Sequence, residues 1–262
     1  NGQPTDDQMD TSFAGEWAAD MAYNPRTGMI WQIGVGGNDC IYELNPATRT
    51  PTGRSLCPGF GISQRGLAYD PISDTFYASS WNDAILYHFD SRGQMLDSHN
   101  IQLDVSGLAF NPDSGLLYAL QNVPGDVYDI YVLDPGNNYA IVGAFNVPDL
   151  LDYGQGALDL SCDGSLWLTD RLSNTVYQVS SGESHACTYA EVGWLNVTPS
   201  SGSLAAGDSA TLTLTLSAQG LDLGSYAAHL LVTSNTPYAD ISLPVTLQVQ
   251  AGQLIFLPAL QR

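Results

Sequence analysis

Gly66-Leu67-Ala68-Tyr69-Asp70-Pro71, then Thr75-Phe76-Tyr77-Ala78, then Leu86-Tyr87-His88-Phe89: this stretch of the 262-residue chain decides the fold. Its apolar residues come in short runs bounded by Asp, Pro and Ser, which is the pattern of strands joined by tight turns. Working outward, the same phrase recurs. The small-apolar pair and Asx-Pro turn return as Met21-Ala22-Tyr23-Asn24-Pro25 and Leu108-Ala109-Phe110-Asn111-Pro112, and in degenerate form as Leu158-Asp159-Leu160-Ser161-Cys162. A second strand follows each: Gly28-Met29-Ile30-Trp31, Gly115-Leu116-Leu117-Tyr118 and Gly164-Ser165-Leu166-Trp167. The third strands are Ile41-Tyr42-Glu43-Leu44, Ile130-Tyr131-Val132-Leu133 and Val176-Tyr177-Gln178-Val179.

Self-similarity at this spacing marks a repeat architecture. Each copy reads as a small antiparallel sheet that cannot bury both faces alone, and radial stacking of such sheets gives a β-propeller. Asx side chains bond the backbone that follows them and Pro presets φ, so the Asx-Pro pairs supply the turns. Trp31, Tyr77, Tyr118 and Trp167 occupy equivalent repeat positions and are expected in the blade core.

The repeats resemble the YncE-like and NHL-like propellers, whose blades carry Gly-Leu-Ala-Tyr-Asp-Pro, then Leu-Tyr, then Ile-Tyr-x-Phe-Asp. Gly66 to Asp90 and Gly107 to Asp134 carry the likeness. That family usually has six or seven blades, and four are visible here. The fourth places Asp159 where the others have Ala22, Ala68 and Ala109, and Cys162 where they have Pro. The resemblance implies a fold and leaves the activity open.

Beyond Cys187 the composition changes. Trp194-Leu195-Asn196-Val197-Thr198-Pro199, the alternating run from Gly207 to Leu216, and Gly224-Ser225-Tyr226 through Ser234-Asn235 resemble the small immunoglobulin-like sandwich appended to secreted bacterial proteins. The resemblance implies a spacer or assembly module. The expected all-β organisation is a polar segment 1–11, propeller repeats 12–187, a sandwich 188–251 and an apolar tail 252–262. Leu254, Ile255, Phe256, Leu257 and Leu260 make the tail β-prone, either as a final strand of its own sandwich or as a strand added to the sheet edge of a neighbour.

The charge is −20, from 27 acidic and 7 basic residues, all seven of them Arg. Binding phosphate needs a basic footprint, so nucleic acid and anionic membranes are excluded as partners. Four cysteines in an acidic, strand-rich chain point to an oxidising compartment, with Cys40–Cys57 and Cys162–Cys187 the simplest of three pairings. The chain opens on Asn1 with no basic or strongly apolar leader, and reads as a mature secreted product. Asn196-Val197-Thr198 fits a glycosylation acceptor.

No Gly-x-Ser-x-Gly elbow accompanies His88, His99, His185 or His229, which argues against a Ser hydrolase. Asp149, Asp152, Asp159, Asp163 and Asp170 cluster around the fourth repeat. With no dense run of oxygen ligands they read as solvated turn carboxylates, so no cofactor or metal is expected; Ca2+ is the alternative, with Asp159 and Asp163 the candidate ligands. A ligand face on the propeller would be lined by Trp81, Asn82, Gln121, Asn122, Asp170 and Arg171. The expected function is a non-catalytic secreted or cell-surface structural protein that self-assembles, as in an extracellular filament, through its apolar terminus. The alternatives are a carbohydrate- or peptide-binding adhesin and, third, a metal-dependent lyase or hydrolase.

Overall fold

The structure is a computed structural model. It describes residues 9, 18–34, 40–60, 65–79, 83–122, 127–148, 150, 156–170, 173–183, 192–205, 207–232 and 241–250. These residues are all-β apart from one 3-10 turn at Pro135–Asn137, and they divide into two compact units.

The first unit is a four-blade β-propeller arrangement. Blade 1 is β1 (Ala18–Asn24), β2 (Met29–Gly34), β3 (Ile41–Asn45) and β4 (Thr50–Leu56). Blade 2 is β5 (Leu67–Asp70), β6 (Thr75–Ser79), β7 (Ile85–Asp90) and β8 (Met95–Asn100). Blade 3 is β9 (Val105–Asn111), β10 (Leu116–Gln121), β11 (Ile130–Asp134) and β12 (Ala140–Phe145). Blade 4 shows three strands, β13 (Leu158–Leu160), β14 (Ser165–Asp170) and β15 (Thr175–Ser180). Every blade is an antiparallel meander in sequence order, and the repeats read from the sequence are these blades.

The turns between first and second strands form as their chemistry dictates. The Asp70 and Asn111 side-chain oxygens accept hydrogen bonds from the backbone N–H two residues on, at Ile72 (2.8 Å) and Asp113 (2.9 Å). The chain then leaves the turn through a left-handed residue, Gly28, Asp74, Gly115 or Gly164. Glycine suits that conformation because it carries no Cβ.

Alternation within each strand splits a blade into two faces, and three clusters join them. The Ala22–Trp31 face of blade 1 packs on Leu67, Tyr69 and Phe76 of blade 2. The Ala68–Tyr77 face of blade 2 packs on Leu108 and Leu117 of blade 3. The Ala109–Tyr118 face of blade 3 packs on Leu158, Leu166 and Leu168 of blade 4. A small residue beside an aromatic meets the larger aliphatic or aromatic face of the next blade, so the layers interdigitate. Cys40 and Cys57 are joined by a disulfide across the outer half of blade 1. Cys162 is also disulfide-bonded; Cys187, its expected partner, lies outside the described residues.

In the second unit β16 (Leu195–Thr198) pairs with β17 (Thr213–Leu216), and β18 (Gly224–Val232) pairs with β19 (Ile241–Val249). The strand expected from Gly207 forms only from Thr213. Its partner β16 ends at Thr198, where the following Pro199 lacks the N–H that would continue the ladder. Trp194 is buried with its ring edge-on to Tyr226, 6.4 Å between centroids, and Asn196 is exposed on β16. Among the described residues no helix is long and apolar enough to cross a membrane.

Candidate functional site

The fourth repeat departs from the other three at one face. Asp159, Trp167 and Gln178 are direct cross-strand neighbours, and they occupy the positions that hold Ala22, Trp31 and Glu43 in blade 1. Trp31 is 1%, Tyr77 4% and Tyr118 1% exposed, but Trp167 is 43% exposed. Around it on the same face Thr169, Val176 and Ser180 are exposed as well. The expectation that Trp167 belongs to the blade core is therefore corrected. Its rank in the repeat is right, but among the described residues no apolar blade face covers it.

The opposite side of that interface is also solvent-exposed. Met21 and Tyr23 of blade 1 occupy the positions of Leu67 and Tyr69 in blade 2, which are 0% and 5% exposed, yet they are 46% and 47% exposed. Among the described residues, three blade-to-blade interfaces are thus filled with buried side chains, and the fourth is not.

At the axis the ring is nevertheless drawn together, by a residue the sequence reading passed over. Asp20 is 2% exposed, and its carboxylate accepts backbone N–H bonds from all four blades. Oδ2 receives Leu108 at 2.8 Å and Leu67 at 3.0 Å. Oδ1 receives Met21 at 3.0 Å and, more weakly, Leu158 at 3.4 Å. Burial pushes the Asp20 pKa well above the usual carboxylate range; the bonds from Leu108, Leu67 and Met21 oppose that push and the Asp159 charge adds to it. A sequence signal did exist. Asp20 precedes Met21 as Gly66, Gly107 and Ala157 precede Leu67, Leu108 and Leu158, so one polar residue stands where three repeats have the smallest ones.

The remaining candidates sit as follows. Asp159 keeps solvent contact while protein crowds its other sides; that desolvation raises its pKa, against a bond from the Leu160 N–H at 2.9 Å. Asp163 caps its own turn, accepting from the Ser161 hydroxyl at 2.6 Å and the Ser165 N–H at 2.9 Å, which lowers its pKa. Asp170 is buried and accepts from the Ser173 hydroxyl at 2.7 Å. Gln121 and Asn122, at the end of β10, are buried. Trp81, Asn82, Arg171, Asp149, Asp152, His185 and the tail residues Leu254, Ile255, Phe256, Leu257 and Leu260 lie outside the described residues. Among the described residues no group of three or more His, Cys, Asp or Glu side chains is arranged to hold a metal ion.

One array in blade 2 has the residue types of a catalytic triad. The His88 Nε2 lies 2.9 Å from Thr75 Oγ1, and its Nδ1 lies 3.4 Å from Asp97 Oδ2. Thr75 is only 5% exposed and its hydroxyl also bonds that of Ser73. Asp97 receives the Tyr139 hydroxyl at 2.9 Å, while His88 stacks on Tyr77. A nucleophile must reach its electrophile, and this hydroxyl is walled in. The array ties β6, β7 and β8 to blade 3.

The sequence matches no family model and no curated protein. Solved structures similar to this chain include hydrazine synthase of Kuenenia stuttgartiensis, at 16% identity and TM-score 0.43, covering 68% of this chain and 52% of that one. The mitotic checkpoint complex (13%, 0.44, 62% and 49%) and the nidogen/laminin complex (20%, 0.41, 61% and 58%) are similar at the same level. The chain spans about half the length of each matched chain, and none of the three bears on activity.

Proposed function

We propose that this chain is a non-catalytic structural protein of the cell exterior, a YncE/NHL-like propeller followed by an immunoglobulin-like spacer, that works by associating with further copies of itself. The open face of blade 4 carries this reading. Trp167 and Val176, at 43% and 61% exposure, form an apolar surface beside Asp159, and exposed apolar patches on soluble proteins mark interaction sites. The acidity keeps most of the surface mutually repulsive, which favours a face with a single carboxylate for the meeting of two copies. The Cys40–Cys57 disulfide supports an oxidising compartment.

The test is electron microscopy and sedimentation of the full chain over a concentration series. Concentration-dependent oligomers or filaments support the reading, and a monomer at every concentration refutes it.

A second reading is favoured by the row Asp159, Trp167, Gln178. An exposed indole flanked by a carboxylate and an amide is a carbohydrate-binding combination: the ring covers the C–H face of a sugar while the polar groups bond its hydroxyls. A glycan array separates the readings. Binding that is lost in Trp167→Ala, in a protein that stays monomeric, favours the sugar.

A further inference from the structure

Blades 1 and 4 present the same tryptophan in two settings. In blade 1 the row is Ala22, Trp31 and Glu43, and Arg54 of β4 completes it. The Arg54 guanidinium carbon lies 5.2 Å from the Trp31 ring centroid, and its Nη1 donates to Glu43 Oε1 at 3.3 Å. The other Glu43 oxygen accepts the Thr52 hydroxyl at 2.8 Å. One arginine therefore lies over the indole and neutralises the carboxylate beside it. A guanidinium suits both tasks, because it is planar, stacks on a ring and is weakly hydrated.

In blade 4 the row is Asp159, Trp167 and Gln178. The indole keeps its place in the repeat, and the carboxylate has moved from the third strand to the first. Among the described residues no cation lies over Trp167, none pairs with Asp159, and blade 4 has no fourth strand to deliver one. The Asp159 carboxylate accepts from the N–H of its neighbour Leu160, while protein crowds its other sides. A carboxylate that has lost part of its water gains from a cation in contact with it. Every basic residue of the chain is Arg, so the basic side chains that a second copy brings are guanidinium groups.

We propose that Trp167 and Asp159 form a site for a guanidinium group, filled by an arginine side chain of a second copy as Arg54 fills the Trp31–Glu43 pair. The proposal rests on the self-association reading and names the chemistry of its contact. Ring and carboxylate act together, since an ion pair at so exposed a position contributes little without the indole. Enclosed between two copies, the pair is screened by salt much less than the long-range repulsion between them.

The test uses the full chain, isotope-labelled at tryptophan and dilute enough to be monomeric. The Trp167 indole N–H resonance is the one absent from Trp167→Phe. N-acetylarginine methylamide is expected to shift it in a saturable way. The lysine counterpart on wild type, and the arginine compound on Asp159→Asn, are expected to bind about fivefold or more weakly. In sedimentation, Asp159→Asn is expected to weaken self-association by about tenfold, although it removes one charge from a chain that repels its copies. No shift with the arginine compound, equal affinity for the lysine compound, or unchanged affinity in Asp159→Asn overturns the site whatever the oligomeric state. Wild-type association that Asp159→Asn leaves unchanged overturns the arginine contact and leaves self-association standing. Binding of the arginine compound by a chain that is monomeric at every concentration overturns the second copy as occupant, and the self-association reading with it.

Discussion

The Asp20 carboxylate accepts a 2.8 Å hydrogen bond from the backbone N–H of Leu108, 88 residues further along the chain. With Leu67 and Leu158 completing the set, blade 1 is tied to every other blade through one side chain. The outer parts of the blades are held by a different means, the interleaving of Ala-aromatic faces with Leu-rich ones, which among the described residues joins three of the four interfaces. The account therefore separates what holds the ring at its axis from what is left exposed at its rim.

The first prediction concerns pH. Burial raises the Asp20 pKa in the folded chain, so the folded state takes up the proton before the unfolded state does. The stability linked to Asp20 is then complete below the ordinary aspartate pKa of about 3.9 and is lost as pH rises through the folded value. Asp159, raised by desolvation, acts in the same direction, and the exposed, lowered Asp163 acts in the opposite one. Urea unfolding from pH 4 to pH 7 should show stability falling with pH, with Asp20 contributing at most about 1.4 kcal/mol per pH unit. Asp20→Asn should flatten the slope. An unchanged slope in that variant contradicts the assignment.

Gly107→Ala places a methyl group against backbone, 2.6 Å from the Leu158 nitrogen and 2.9 Å from the Ala157 carbonyl carbon. Backbone cannot swing aside as a side chain can. A loss of about 1–3 kcal/mol is expected, the usual cost of overpacking, with faster exchange at Leu158 than at Leu67. Wild-type stability in this variant would show that the inner strands are looser than described.

Substitutions on a covered and on an exposed blade face should differ sharply in cost. Tyr118 is 1% exposed between blades 3 and 4, and Leu117, on the opposite face of β10, is 0% exposed between blades 2 and 3. Leu117→Ala should cost about 2–5 kcal/mol. Trp167→Ser, at the repeat position of Tyr118, should fall within about 0.5 kcal/mol of wild type, as for an exposed site. Denaturant midpoints decide it, and a Trp167→Ser penalty as large as that of Leu117→Ala would mean that blade 4 is covered after all.

The repeat and its turns were legible because both rest on local chemistry. Asp70-Pro71 and Asn111-Pro112 carry their turn signal in adjacent residues, and Tyr77 with Phe76 splits between two faces by simple alternation. The alternation also predicts that Trp167 is core, and there it fails. A strand pattern says which residues share a face but not whether another sheet arrives to cover it. Asp20 was missed for a related reason. Its partners are backbone groups 47, 88 and 138 residues away, and backbone donors leave no mark in a sequence. Only comparison with Gly66, Gly107 and Ala157 exposes it. The acidic residues of the fourth repeat drew notice by density, although Asp163 and Asp170 serve turns that Ser161 and Ser173 help to close.

Sedimentation velocity of the full chain, with Trp167→Glu and with Met95→Glu as a control, tests the central claim that the bare face of blade 4 is where copies meet. Met95 is 52% exposed on the outer strand of blade 2. Because a charge of −20 opposes association and salt shortens the reach of that repulsion from about 10 Å at 0.1 M to about 3 Å at 1 M, each protein is run at both salt concentrations. The account predicts a wild-type oligomer strengthened by salt, the same behaviour in Met95→Glu, and a monomer in Trp167→Glu at both concentrations. Association of Trp167→Glu equal to that of wild type, or a wild-type monomer at both salt concentrations, would contradict it.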